Sequence, residues 1–146
     1  MQISTRGRYG LRAMVDLAMH NSKGPLALRV IAERQGISES YLEQVFTSLR
    51  KSGLVRASRG AQGGYELGRP ATGITAGDVL RSLEGPIAPV FCVSGDSVQC
   101  EREKGCITRW FWNELKMKIE EVMDATSLQD LVDRALVETP DPMYYI

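Results

Sequence analysis

Between Tyr9 and His20 the apolar residues fall at Leu11, Met14, Val15, Ala18 and Met19, the three-and-four spacing that gives a helix one buried face. Lys23-Gly24-Pro25 stops that segment, because glycine and proline both break a continuing helix. A second short helix is predicted from Leu28 to Gln35, with Val30, Ile31 and Ala32 inward and Gly36 at its C-terminal end. Ser38 or its neighbour is placed to cap a third helix, on which Leu42, Val45, Phe46 and Leu49 form the apolar stripe. Helix, tight glycine-containing turn, helix is the order that lays the second of the two helices in a DNA major groove.

After the third helix the period changes. Leu54-Val55-Arg56-Ala57 and Gly64-Tyr65-Glu66-Leu67 read as short strands flanking the cationic, glycine-rich Ser58-Arg59-Gly60-Ala61-Gln62-Gly63. Such a hairpin beside a helix-turn-helix is a wing, and an arginine at its tip is suited to a minor groove. Thr75 to Glu84 then predicts a helix ended by Gly85-Pro86, packing Val79, Leu80 and Leu83 onto the front of the chain. From Ile107 to Met123 a longer helix carries Ile107, Trp110, Phe111, Leu115, Ile119, Val122 and Met123 on one side. That stripe exceeds what a chain of 146 residues can cover by itself, so a symmetric homodimer is expected, presenting two wings to a pseudo-palindromic operator in double-stranded DNA. A last helix begins at Leu128, and the tail Met143-Tyr144-Tyr145-Ile146 is apolar and expected to dock. The fold class expected is mainly α: a winged helix-turn-helix over 1–70 with a small two-stranded wing, a connecting helix and loop over 71–91, and a dimerisation helix, final helix and tail over 107–146.

Charge sharpens this picture. The formal net charge is zero, but residues 1–69 hold eleven Lys/Arg against five acids and the remainder seven against thirteen. The front is therefore +6 and the back −6, which suits a polyanion at one end only. On the third helix Ser38, Ser40, Tyr41, Glu43 and Gln44 occupy early outward positions. Gln44 can bond an adenine edge, Glu43 can accept from cytosine, and Ser40 or Tyr41 can take a base or a phosphate. With Arg59 these form the expected DNA-facing set. No apolar run approaches a membrane span and no secretory leader is visible, so a cytoplasmic protein is expected. One histidine, no recognisable nucleophile–base pair and no phosphate-cradling loop argue against an enzyme.

All three cysteines, Cys92, Cys100 and Cys106, fall in one stretch of fifteen residues. The residues between them are polar with two glycines, so 92–106 reads as a loop able to wrap a soft-ligand metal site. An odd count does not close into disulfides without a remainder. Iron–sulfur and zinc both remain open on these residues.

The opening Met1 to Leu11, the segment Ile37-Ser38-Glu39-Ser40-Tyr41-Leu42-Glu43-Gln44, the stretch Arg59-Gly60-Ala61-Gln62-Gly63-Gly64-Tyr65, and Ile74 to Val79 with Leu83-Glu84-Gly85-Pro86 resemble the Rrf-two family of winged-helix regulators. The resemblance covers nearly the whole chain. It implies a dimeric bacterial transcription factor, often with a [2Fe–2S] or [4Fe–4S] cluster on three cysteines; of the two, [2Fe–2S] is expected here ahead of [4Fe–4S]. Carried over by position, Cys92, Cys100 and Cys106 resemble the ligands. Members concerned with iron–sulfur assembly place a histidine three residues after the last cysteine, where this chain has Arg109, a cation that binds no metal. Nitric-oxide sensors of the family place an aspartate where this chain has Arg8. The fourth ligand is thus open among Asp96, Glu101, Glu103, His20 and a solvent or small molecule. The tail resembles a second branch, whose members repress cysteine and sulfur metabolism without a cluster under control of a partner protein.

Overall fold

The computed structural model describes residues 1–95 and 101–138. Within them lie six α-helices, α1 (Thr5–Met19), α2 (Leu28–Gln35), α3 (Glu39–Lys51), α4 (Ala76–Glu84), α5 (Arg109–Ala125) and α6 (Leu128–Glu138), and two strands, β1 (Val55–Ser58) and β2 (Gly64–Leu67). The tail beyond Glu138, expected to dock, lies outside the described residues.

Helix α1 begins at Thr5, earlier than its apolar spacing predicts. The extra turn is polar, so periodicity does not register it; it forms because the Ser4 hydroxyl caps it, accepting the Gly7 amide at 3.4 Å, and because a distant carboxylate takes the same amides. The Glu84 carboxylate, at the end of α4, accepts the amides of Ser4 at 3.0 Å and Gly7 at 3.1 Å and the Ser4 hydroxyl. A carboxylate there also opposes the positive end of the helix dipole. The buried face is turned from the predicted one as well: Ala13, Met14 and Leu17 are fully buried, whereas Leu11, Val15 and Ala18 are half-buried and Met19 is exposed. The reason is that α1 packs against α4 on one side and α6 on another.

Helix α2 ends on Gly36, whose φ of 64° and ψ of 37° are left-handed and costly for any side chain. The turn leads into α3, capped by the Ser38 hydroxyl accepting the Tyr41 amide at 3.2 Å. Asp16 sets the angle between α1 and α2. Only 3% exposed, it accepts from Arg34 Nε at 3.0 Å, Arg34 Nη2 at 2.6 Å and Gln35 Nε2 at 2.9 Å. A buried carboxylate is tolerable only with such partners.

Strands β1 and β2 pair antiparallel, from Val55 opposite Leu67 to Ser58 opposite Gly64. A bridge from Leu26 to Tyr65 ties the wing back to the start of the helix-turn-helix. The core runs through both halves: Met14, Leu17, Ile31, Leu42, Val45, Phe46, Leu49, Ile74, Val79 and Leu128 belong to one buried cluster.

Helix α5 behaves differently. Only Met123 on it is buried, while Trp110 is 68% and Val122 67% exposed and Phe111, Leu115 and Met117 are also exposed. Ile107 falls before the helix and is exposed too.

Candidate nucleic-acid interface and cysteine loop

The buried stripe of α3 fixes what it shows to solvent. With Leu42, Val45, Phe46 and Leu49 inward, Ser40, Glu43 and Gln44 point outward and are exposed, while Ser38 is exposed at the cap. Tyr41 is half-buried, its ring edge-on to Tyr9 at 6.2 Å and 86°. That contact leaves the phenol less free than its neighbours to reach a base. Between α3 and the wing runs a groove of about 400 Å³ lined by Glu43, Thr47, Arg50, Gly63, Gly64 and Tyr65, with Ala27 and Leu28 at one side. The Thr47 hydroxyl donates to the Glu43 carbonyl at 2.8 Å.

Thr47 and Arg50 were missed in the sequence. They continue the outward positions Ser40, Glu43 and Gln44 by steps of three and four, and extending that row would have found them. Arg59 is exposed in the turn of the hairpin. Several of the front-half cations are engaged by partners of the same chain: Arg34 by Asp16, Arg12 by the Gln35 carbonyl at 2.7 Å, Arg6 by the Ser48 hydroxyl and Arg69 by Asp78 at 2.8 Å. Arg50 and Lys51, at the end of α3, and Arg59 remain exposed. Arg8, Lys23 and Arg29 are exposed as well, so α3 and the wing carry part of a positive surface that extends over the front half.

The cysteine loop occupies the other end of the chain. Cys92 sits half-buried in a 3₁₀ turn, residues 91–93, over the buried Val93, and this turn packs against α5. Cys106 is half-buried three residues before α5 begins. Its Sγ lies 3.5 Å from Thr108 Oγ1, and that hydrogen bond, aided by the Thr108 backbone and by Arg109, holds the thiol below its usual range. Both thiols are free of disulfides. Cys100 and Asp96 lie outside the described residues.

The remaining donor candidates sit as follows. Glu101 is exposed, and Glu103 pairs with Arg109 at 3.2 Å. His20 caps the C-terminal end of α1, with Nδ1 2.8 Å from the Asp16 carbonyl and 3.3 Å from Arg34 Nη2. Among the described residues, no three of His, Cys, Asp and Glu gather as a metal site. In donor type the two described cysteines fit a thiolate-held group: soft sulfur, partly shielded, with Cys106 biased toward the ionised form.

Residues 3–134 match the Rrf2 family, described as an iron-dependent transcriptional regulator. The chain is 44% identical to the HTH-type transcriptional regulator CymR of Bacillus subtilis over 146 residues, all of both chains. It is 40% identical over 133 residues to the HTH-type transcriptional regulator IscR of Pectobacterium atrosepticum, covering 91% of this chain and 80% of that one. Among solved structures, CymR (YrzC), the global cysteine regulator of B. subtilis, superposes with a TM-score of 0.76 at 45% identity, over 92% of this chain and 98% of that one. T. potens IscR superposes with a TM-score of 0.77 at 41% identity, over 100% and 97%. With a winged helix-turn-helix at the front and this likeness over its length, the chain belongs to the Rrf2 family of helix-turn-helix transcriptional regulators.

Proposed function

We propose that this regulator works as a homodimer on a pseudo-palindromic operator and senses redox state, iron or nitric oxide through an iron–sulfur cluster, [2Fe–2S] before [4Fe–4S], held by Cys92, Cys100 and Cys106. The observation that carries the reading is the placement of Cys92 and Cys106: both half-buried, both disulfide-free, one on the turn that packs against α5 and one leading into it. When bound, such a cluster supplies a group whose oxidation level or presence follows cellular redox state and iron supply. The chain does the rest. A change in the spread of residues 92–106 bears directly on the first turn of α5, and α5 is the helix whose exposed Trp110, Phe111, Leu115 and Val122 suit a second copy. Two dimer geometries differing by a few kcal/mol suffice to switch operator affinity.

The test is the visible spectrum of anaerobically purified protein with iron and sulfide analysis, joined to operator binding of loaded and iron-free protein at one salt concentration. Brown, sulfide-containing protein with two different affinities is the expected result. Colourless protein from a preparation competent in cluster assembly, or equal affinities, removes the cluster reading.

A second reading is a repressor of cysteine or sulfur metabolism without a cluster, or with zinc in the loop, controlled by a partner protein. The end-to-end match to CymR favours it.

Both readings share one DNA surface. Arg59→Ala is expected to weaken binding to all sequences alike and to lower the salt slope by about one. Gln44→Ala is expected to cost about 1–3 kcal/mol at one base position and to relax specificity there. Fluorescence anisotropy over a salt series, on operator and on scrambled duplex, separates the two effects. Equal losses on both duplexes for Gln44→Ala would remove it from the base-reading set.

A further inference from the structure

Among the described residues helix α5 has two principal neighbours, the turn that carries Cys92 and α4. Helix α4 in turn packs against α1 and α3, the helices of the DNA-binding half. The joint between α5 and α4 is closely built. Arg81 on α4 grips Asp124 on α5 with two parallel hydrogen bonds, Nη1 to Oδ1 at 2.7 Å and Nη2 to Oδ2 at 3.0 Å. Beneath the pair lies Gly77, where a methyl group would come within 2.3 Å of Asp124 Oδ1, 2.8 Å of Arg81 Nη1 and 3.3 Å of Met123 Cβ. The two helices therefore touch through a glycine. The corner after α5 is held to the same place by backbone bonds, the Ala76 amide to the Thr126 carbonyl and the Leu128 amide to the Ile74 carbonyl, both 2.8 Å.

The far end of α4 is fastened to the DNA-reading elements. Glu84 accepts the Ser4 and Gly7 amides that open α1. Ser82 shares a 2.7 Å hydrogen bond with Ser52, directly after α3, and lies 3.4 Å from the Ser48 carbonyl within α3. Arg81, Ser82 and Glu84 thus occupy a single turn of α4, reaching three different helices.

We infer that α4 is the transmission element of this regulator, with Arg81 and Asp124 as positioning residues that pass the attitude of α5 to α1 and α3. The inference rests on reading α5 as the helix that carries the signal. A bidentate guanidinium–carboxylate pair suits the role, because it resists rotation as well as separation. Both groups are partly exposed, so the pair contributes little to stability and its loss should leave the fold intact. Its value is geometric. Arg81 in turn holds the Asp124 carboxyl below the usual carboxylate range, so the pair persists at neutral pH.

The test uses the full chain as metal-free protein, with Asp124→Asn, Arg81→Gln, the double variant and the conservative Asp124→Glu. Operator affinity and peptide-resolved hydrogen exchange are read together. The expected result is a change in operator affinity of about fivefold or more, with affinity for scrambled duplex and the thermal melt unchanged. Each single variant should equal the double, since both break one joint, and Asp124→Glu, which keeps a carboxylate for Arg81, should retain most of the wild-type operator affinity. Exchange should quicken in α4 and in the peptide spanning 3–10, remote from the substitution. Wild-type operator affinity, or faster exchange confined to α5, overturns the inference and leaves α6, which also packs on α1, as the route. Failure of the sensor reading is distinguishable: it shows as equal operator affinity of loaded and iron-free wild-type protein, and the variants' metal-free results stand without it.

Discussion

Replacing Phe46 by alanine is expected to destabilise the protein by about 4 kcal/mol and, with that, to abolish operator binding at physiological temperature. The side chain is fully buried on α3, and its ring meets Tyr65 of β2 edge-on at 5.1 Å and 71°. It is the point where the reading helix is seated on the wing. Truncation removes ring area from the core, leaves a cavity between two elements that cannot close independently, and forfeits an aromatic pair worth about 1 kcal/mol beyond its area. In a chain of this size the melting temperature should fall by about 10 °C. Phe46→Leu keeps much of the volume and should cost about half as much. A circular-dichroism melt decides the matter: an alanine variant melting within about 2 °C of wild type would mean that the wing is seated by its backbone bridge to Leu26 rather than by this ring.

The same residue shows what was legible in the sequence. Its helix was, because four apolar positions at helical spacing and a serine cap are local facts, and the structure has both. The wing was legible for the same reason, through period-two strands around a glycine-rich turn. The first turn of α1 was passed over, because it is polar, its Ser4 cap was not read as one, and the carboxylate that also holds its amides lies 80 residues away. The charge count overstated the free charge of the front half, since Arg6, Arg12, Arg34 and Arg69 serve internal partners that only tertiary structure reveals. Asp16 counted simply as one acid among five, yet it fixes α2 to α1. At the cysteine loop, the clustering of thiols in sequence marks a candidate site by residue type alone. Which further donor would complete such a site depends on which chain segments converge there, and spacing does not encode that. Glu103 and His20 illustrate the point, one paired with Arg109 and the other set at the end of α1 beside Asp16 and Arg34.

Replacing Cys106 by serine is expected to separate the two functional readings by the size and kind of its effect. Serine keeps the volume and a hydrogen-bonding group facing Thr108, and the site is at the surface end of a loop, so the stability of the metal-free protein should change by less than about 0.5 kcal/mol. What changes is the donor, from a soft sulfur that ionises readily to a hard hydroxyl that does not at neutral pH. If the loop holds an iron–sulfur cluster, iron and sulfide retained through anaerobic purification should fall at least about tenfold, the visible absorption should vanish, and operator affinity should no longer respond to iron or oxidant. Cys92→Ser should do the same, because each thiolate is required. If the chain is instead a repressor governed by a partner protein, Cys106→Ser should bind the operator as the wild type does and still answer to that partner. A zinc-stabilised loop gives a third pattern: metal content falls with no colour to lose, and the melt drops because the loop has lost its clasp. Measuring metal, colour, melt and operator affinity on one variant therefore assigns the loop. Wild-type iron and sulfide contents in the serine variant would remove Cys106 from the ligand set, however well its position leads into α5.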